Sequence, residues 1–207
     1  MMPANVALPL DLPVKRSALA ARPTTGQGNM AQPAQILEPA LAGTQASVHS
    51  FDSSLREQAL GHIFLGQLLA FMWRNGGRDI EVLKSEVDRG GYDLVLESNG
   101  VIRHVQLKSS FRGSKVREVS VNTRLLGKPS GCILWLEFDP ISLATEQFYW
   151  FGGPARAALP DLGERRSRHS KANSKGEKNE RPAHRVVAKR DFRALVNISE
   201  VVEELFG

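Results

Sequence analysis

The chain has 207 residues, a formal net charge of +5 and a single cysteine, Cys132. That length suits one domain with additional segments, and one cysteine excludes an internal disulfide framework or a zinc site built from cysteines. No stretch approaches the ~20 apolar residues of a membrane span or resembles a secretory signal, so we expect a cytoplasmic protein that contacts no membrane. A sequence pI near 9.6 makes nucleic acid a plausible partner.

Composition divides the chain into four segments. Residues 1–50 are rich in Pro, Ala, Gly and Gln without a hydrophobic period, which predicts a disordered arm. Residues 51–152 are predicted to form the ordered core. Residues 153–189 are poor in apolar side chains and are predicted to be a long basic, mobile loop. Residues 190–207 are predicted to form a C-terminal helix that packs on the core.

The basic excess lies towards the C-terminus. Residues 51–152 carry twelve basic and twelve acidic side chains, whereas residues 153–207 carry twelve basic and eight acidic ones. Lys and Arg side chains neutralise phosphates, so this excess predicts where a nucleic acid would be held. A solvated loop without a partner is the alternative interpretation. The candidate contacts in this stretch are Arg165, Arg166, Arg168 and Lys171.

Hydrophobic spacing predicts the elements of the core. A helix is predicted over 53–74, and the Asn-Gly-Gly sequence at 75–77 predicts its end. The helix, the strands and the final helix together predict an α/β or α+β fold with a mixed central sheet flanked by an N-terminal and a C-terminal helix. The predicted strands cover 79–84, 92–97, 101–109, 117–121, 132–138 and 145–151, with a short helix or loop at 122–129.

One hairpin brings polar side chains together. The dipeptide Asn99-Gly100 predicts a two-residue turn, because both central residues of a type I′ turn need a positive φ. Counting back along both strands from that turn places Asp93 opposite Gln106. Alternation of side chains then puts Lys108 on the same face, while the other face is apolar and suits a core.

These side chains suit a divalent metal site for phosphodiester hydrolysis. Mg²⁺ prefers oxygen ligands, which the Asp93 carboxylate, the Gln106 amide and the Leu107 carbonyl can provide. Lys108 can hold the attacking water or offset charge on the phosphate, and Ser110 can contact the phosphate. The alternative is that Gln106 and Lys108 form the solvent face of an edge hairpin, with Asp93 as a strand-end residue.

The same residues resemble a known superfamily. The sequences GYDLVL at 91–96 and HVQLKSS at 104–110 resemble the signature of the PD-(D/E)XK nucleases. The Gln-x-Lys form is similar to that of Mrr-like restriction endonucleases, and archaeal Holliday-junction resolvases share the order of helix, strand, Asp and Glu-x-Lys. The resemblance covers about 52–151 and implies a restriction-endonuclease-like core.

The resemblance implies roles for particular residues. Asp93 and Gln106 would bind Mg²⁺, or Mn²⁺ as a substitute, and Lys108 would assist the attacking water. Family members often add a glutamate from the first helix, and Glu57 lies on the predicted inward face. Ser54-Leu-Arg-Glu57 also matches a capping box, which is the alternative role for Glu57. Two departures are the absence of proline before Asp93 and the Gln at position 106 in place of Glu.

Three functions follow from these observations. The first is a Mg²⁺-dependent nuclease, most simply a DNA endonuclease of defence or repair. A homodimer is expected only by analogy with nucleases that cut both strands. The second is a catalytically inactive nucleic-acid-binding module on the same fold, which the Gln at 106 motivates. The third is a protein-interaction partner in a defence or toxin system, for which the apolar C-terminal helix would be the contact.

Overall fold

The computed structural model describes residues 53–87, 89–169, 176 and 178–207. Within these residues the chain forms nine β-strands and two α-helices, so the predicted mixed sheet with flanking helices is confirmed. The arm predicted at 1–50 lies outside the described residues. Neither helix in the described part is long and apolar enough to cross a membrane.

The first helix, α1, covers Ser53–Arg74, as its apolar spacing predicts. Its end follows from glycine chemistry: Gly76 has a φ of 79°, and the Gly77 N–H donates to the Met72 carbonyl at 2.9 Å. This is a Schellman motif, which requires a left-handed residue that glycine adopts without strain. One face of α1 is buried at helical intervals by Leu60, Phe64, Leu68 and Met72.

The strands form two sheets. β1, β2, β3, β5, β6 and β9 lie in that order in a six-stranded sheet, in which only the β3–β5 pair is parallel. β4, β8 and β7 form an antiparallel three-stranded sheet. A second helix, α2, covers Ile198–Phe206. The strands are β1 (Ile80–Lys84), β2 (Leu94–Ser98), β3 (Val101–Phe111), β4 (Glu118–Asn122), β5 (Gly131–Phe138), β6 (Thr145–Gly152), β7 (Arg166–Arg168), β8 (Glu180–Ala188) and β9 (Arg193–Leu195).

The β2–β3 hairpin has the predicted turn and register. Asn99 has a φ of 50° and Gly100 a φ of 69°, as a type I′ turn requires. Ser98 pairs with Val101, and the same register continues along the whole of β2 to its first residue. A slip by one residue would exchange the two faces, so this turn determines which side chains reach the site.

The central strand β5 of the six-stranded sheet is buried on both faces. α1 and α2 cover one face, where Leu134 and Leu136 of β5 are buried. The three-stranded sheet covers part of the other face, where Ile133 and Trp135 of the same strand are buried. Burial of both faces explains why β5 reads as a continuous apolar run instead of an alternating one.

A buried arginine connects the sheet to α2. The Arg103 guanidinium is completely buried and donates from Nε to the Leu205 carbonyl at 2.7 Å. Its other donors reach the carbonyls of Glu204 at 2.6 Å and Gly153 at 3.1 Å. Burial lowers the pKa of this guanidinium below its usual value. The cation satisfies carbonyls at the C-terminal end of α2, where the helix dipole favours positive charge.

Two sequence predictions for the C-terminal third are wrong. The loop predicted over 153–189 contains the strands β7 and β8, and the helix predicted over 190–207 begins only at Ile198. Local pattern did not indicate β8, because its pairing with β4 on one side and β7 on the other holds it in place. Val201 and Leu205 of α2 are fully buried against the core.

Candidate active site

A cleft of about 460 Å³ opens where β2 begins, between α1 and the end of the six-stranded sheet. It brings together side chains that are far apart along the chain, from α1, β1, β3 and the residue before β2. All four residues predicted to be catalytic line it: Glu57, Asp93, Gln106 and Lys108.

Asp93 is held by backbone hydrogen bonds on three sides. Its N–H donates to the Val105 carbonyl at 2.9 Å, and its carbonyl accepts from the Ser85 N–H at 3.0 Å. Its carboxylate Oδ2 accepts from the Leu107 N–H at 2.6 Å. The Asp93 carboxylate therefore accepts the Leu107 N–H in the place of a backbone carbonyl, one residue before β2 begins. This hydrogen bond from β3 sets the orientation of the carboxylate.

Gly91 shapes the approach to Asp93. Its φ is 75°, a left-handed conformation that glycine adopts most readily. A Cβ on Gly91 would lie 3.0 Å from the Cβ of Asn122, which is closer than side chains ordinarily approach. Asn122 is itself buried, and its Oδ1 accepts from the Arg124 N–H at 3.0 Å, so it has little freedom to move. The turn before the site thus depends on glycine for two independent reasons.

Gln106 carries the most informative atom of the cleft. The residue is only 6 % exposed, and its Oε1 is buried with no hydrogen-bond donor among the described residues. A buried amide oxygen without a partner costs about 1–3 kcal/mol, so native proteins rarely retain one without a use for it. Gln106 lines a cleft that also holds two carboxylates, and an amide oxygen is a ligand that suits a hard cation.

Glu57 projects from α1 into the same cleft and is exposed. α1 already begins at Ser53, so Ser54 lies inside the helix instead of at its N-cap. The alternative role for Glu57, a capping box with Ser54 at the N-cap, is therefore not the arrangement seen. The catalytic role of Glu57 that the superfamily resemblance implies stays a prediction.

Three cations accompany the carboxylates. Lys108 lies two residues beyond Gln106 on β3, Lys84 ends β1, and Arg56 precedes Glu57 on α1. Sequence reasoning missed Arg56 and Lys84, because only the packing of α1 and β1 around the end of β3 brings them there. With three cations and two carboxylates, the lining has an excess of one positive charge. Such a lining can hold a metal and a phosphate together.

Ser110 does not contribute as predicted. It is buried, and its Oγ accepts a hydrogen bond from Trp135 Nε1 at 2.9 Å, so it is not presented to a phosphate. Leu107 lines the cleft, and its N–H donates to the Asp93 carboxylate. The role of the Leu107 carbonyl as a metal ligand stays a prediction. His104 lies outside the cleft, with Nδ1 2.7 Å from the Pro129 carbonyl.

Three of the four basic residues predicted to bind nucleic acid, Arg165, Arg166 and Arg168, lie in β7 or directly before it. Arg165 forms an ion pair with Glu118, and Arg166 pairs with Glu180 at 3.3 Å. Arg168 is exposed on β7. Lys171 lies outside the described residues. These arginines do not line the cleft, so they could contribute to binding but not to its chemistry.

A metal in this cleft would depend on the amide. Across the described part of the chain, no group of three His, Cys, Asp or Glu side chains could hold a metal ion by itself. Asp93 and Glu57 offer two carboxylates, and Gln106 adds a neutral oxygen. This donor set consists of oxygen atoms alone and fits a hard cation such as Mg²⁺, which keeps several of its own waters.

Comparison with known proteins adds little to this picture. No protein-family model matches the chain. No curated protein matches it either. Among solved structures, a bacterial homing endonuclease, I-Ssp6803I, is 25% identical over 57% of this chain and 83% of its own, with a TM-score of 0.26. A TM-score this low assigns the chain neither a fold nor an activity, so function has to be inferred from the cleft itself.

Proposed function

We propose that this chain is a divalent-metal-dependent nuclease that hydrolyses phosphodiester bonds in DNA. The observation that carries the proposal is Gln106, whose buried Oε1 has no described donor and which lines a cleft together with Asp93 and Glu57. An orphaned acceptor beside two carboxylates is costly without a cation and reasonable with one.

The residues of the cleft have separable roles in this proposal. Asp93, Gln106 and Glu57 hold Mg²⁺, with Mn²⁺ as a substitute. The metal, when bound, polarises the phosphate and lowers the pKa of a coordinated water. Lys108 holds the attacking water or offsets the charge that develops on the phosphate. The Leu107 N–H keeps the Asp93 carboxylate in position through their 2.6 Å hydrogen bond.

Arg56 and Lys84 add positive charge to the cleft, which favours the binding of a polyanion. Arg56 is partly buried, and its guanidinium lies 6.0 Å from the centre of the Phe138 ring, which limits its freedom. Lys84 is exposed at the opposite wall, on β1. Cations on two walls can hold the phosphates on either side of the one that reacts, so binding is expected to weaken as salt rises.

A cleavage assay with matched variants tests the proposal. Purified protein is incubated with supercoiled, linear and branched DNA in Mg²⁺, Mn²⁺ or EDTA. Lys108→Ala should lower the rate by about 100-fold or more, as removal of a single stabilising donor does in other enzymes. Lys115→Ala removes an exposed lysine outside the cleft and should leave the rate unchanged.

Asp93→Asn removes charge while keeping an acceptor for the Leu107 N–H. It should abolish metal-dependent cleavage with little loss of stability. Cleavage that persists in Asp93→Asn or in EDTA would refute the metal mechanism.

An inactive DNA-binding module is the second candidate, and the amide at position 106 favours it. Replacing the usual acid by Gln removes one negative charge from the metal site and should weaken metal binding. In that case the wild-type protein would bind DNA in a salt-sensitive manner without cutting it in Mg²⁺ or Mn²⁺. Gln106→Glu restores the acid and separates the two candidates, since a gain of cleavage in this variant alone would identify an inactivated site.

A further inference from the structure

The turn that precedes Asp93 packs against a short 3₁₀ helix, Thr123–Gly127. Tyr92 of the turn packs against the hydrophobic cluster that contains Leu125 of this helix. A Cβ on Gly91 would lie 3.3 Å from the Leu125 backbone N, so the two segments are in direct contact. The side chains that the 3₁₀ helix presents to solvent therefore lie close to the candidate active site.

Two cations are held in place where these segments meet. Arg124 Nη1 donates to the Arg89 carbonyl at 2.9 Å, which ties an exposed guanidinium to the turn. Lys128 Nζ lies 5.2 Å from the centre of the Tyr92 ring, within the range of a cation–π interaction. The Arg124 hydrogen bond uses one of the five N–H donors of its guanidinium, so the remaining donors can reach a ligand.

His104 connects this region to the site residues on β3. Its ring meets the Tyr92 ring edge to face, with 4.9 Å between the two ring centres. His104, Gln106 and Lys108 alternate along β3, so they share one face of the strand with about 7 Å between neighbours. Tyr92 also immediately precedes Asp93. The cations around Tyr92 therefore extend the line of site residues beyond Gln106.

The positive charge of this region is not neutralised by any described carboxylate. Arg89, Arg124 and Lys128 take part in none of the ion pairs among the described residues. Arg165 and Arg166 of the three-stranded sheet, in contrast, each pair with a glutamate. Neighbouring cations without anions raise the local surface potential and favour a polyanionic partner.

We propose that Arg89, Arg124 and Lys128, here called the turn patch, bind backbone phosphates of the DNA strand that enters the cleft. Arg and Lys contacts to phosphates position a protein on DNA without reading its sequence. This inference rests on the proposed function for its choice of DNA. It assigns the holding of the strand to the turn patch and its cleavage to the cleft.

The chain itself limits where the bound phosphates can lie. Arg89 is four residues before Asp93, and four residues span at most about 14 Å. One strand of B-DNA rises by about 3.4 Å per nucleotide. The phosphates held by the turn patch should therefore lie within about four nucleotides of the one that reacts.

Binding of a labelled DNA duplex in EDTA, which prevents metal-dependent cleavage, tests the proposal. Arg124→Gln/Lys128→Gln removes two charges of the turn patch. Each phosphate contact adds about −0.9 to the slope of log K against log salt concentration. The variant should flatten that slope by about 1.8 units, which corresponds to roughly 60-fold weaker binding at 0.1 M salt if the lines meet at 1 M.

A matched pair and a second patch variant control for charge and for folding. Arg74→Gln/Arg78→Gln removes two exposed arginines at the end of α1 and just beyond it, and should change the slope little. Thermal denaturation of each variant reports whether it stays folded. If Arg124→Gln/Lys128→Gln is less stable than wild type, Arg89→Gln/Arg124→Gln replaces it, because this pair keeps the contact between Lys128 and Tyr92.

The outcomes separate this inference from the nuclease proposal. Equal slopes for a folded patch variant and the control pair would overturn the role of the turn patch, even if the protein cleaves DNA. Patch-dependent binding without any cleavage would leave the inference standing and defeat the nuclease proposal.

Where the protein cleaves, single uncharged methylphosphonate linkages locate the contacts. Those within about four nucleotides of the cut should weaken binding of wild type and have no further effect on the patch variant. Linkages that act only farther away would overturn the placement beside the cleft.

Discussion

Replacing Gln106 with methionine distinguishes a functional amide from a structural one. Methionine has nearly the same length and volume, so Gln106→Met keeps the packing and removes an acceptor that has no described donor. Burial of an unsatisfied amide oxygen costs about 1–3 kcal/mol. We expect the free energy of unfolding in EDTA to increase by about that amount, because nothing that stabilises the metal-free protein is lost.

Magnesium should reduce the difference in stability between the two proteins. A ligand that binds only the folded state stabilises it by about 1.4 kcal/mol at ten times its dissociation constant. Wild-type protein should gain this increment, whereas Gln106→Met should lose most of it together with cleavage. The variant would thus be more stable without metal and inactive with it, which is the expected behaviour of a residue retained for function.

Urea denaturation, followed by tryptophan fluorescence in EDTA and in saturating Mg²⁺, measures both quantities. Gln58→Met is the matched control, because Gln58 lines the same cleft but is exposed. It should leave both the stability and the magnesium increment nearly unchanged. A decrease in the stability of Gln106→Met in EDTA would refute the reasoning, since it would show that the amide stabilises the fold. An undiminished magnesium increment would exclude Gln106 as a ligand.

Three further predictions concern the scaffold around the cleft. Arg103→Met should lower the free energy of unfolding by about 3–5 kcal/mol, because three backbone carbonyls lose a buried charged donor. The free energy of unfolding of Arg103→Lys, measured by urea denaturation, should lie between those of wild type and Arg103→Met. Burial raises the pKa of the Cys132 thiol from 9.0 to about 12, so its stabilising contribution is complete below pH 9 and is lost as pH rises towards 12. Between pH 9 and 11 the stability of wild type should fall more steeply than that of Cys132→Ala, by at most about 1.4 kcal/mol per pH unit. Gly91→Ala should cost about 1–3 kcal/mol and lower any cleavage, whereas Gly66→Ala, with nothing within 4 Å of the new Cβ, should not destabilise the protein.

Much of the local structure was predictable because local chemistry determines it. The Asn99-Gly100 turn has positive φ at both positions, and this alone aligned the two strands of the hairpin. The limits of α1 followed from apolar spacing and from the glycine that ends it. The same register explains why Gln106 and Lys108 could be assigned to one cleft before the structure was known.

Other features depended on contacts between distant parts of the chain. β8 was read as a loop, since only its pairing with β4 and β7 makes it a strand. Ser110 was assigned to phosphate binding, but it is buried, and its hydroxyl accepts a hydrogen bond from Trp135 on the neighbouring parallel strand. No local pattern shows that a hydroxyl will meet an indole 25 residues later in the sequence.

The sequence by itself therefore determined the elements with short-range signals and the grouping of Gln106 with Lys108 in one cleft. Turn chemistry and side-chain periodicity act over a few residues, so they can be read from the order of amino acids. Only the tertiary structure decided that Arg56 and Lys84 join the cleft, and that the Gln106 acceptor is buried without a donor. Burial and charge proximity are properties of packed surfaces, and packing brings together residues that no interval along the chain relates.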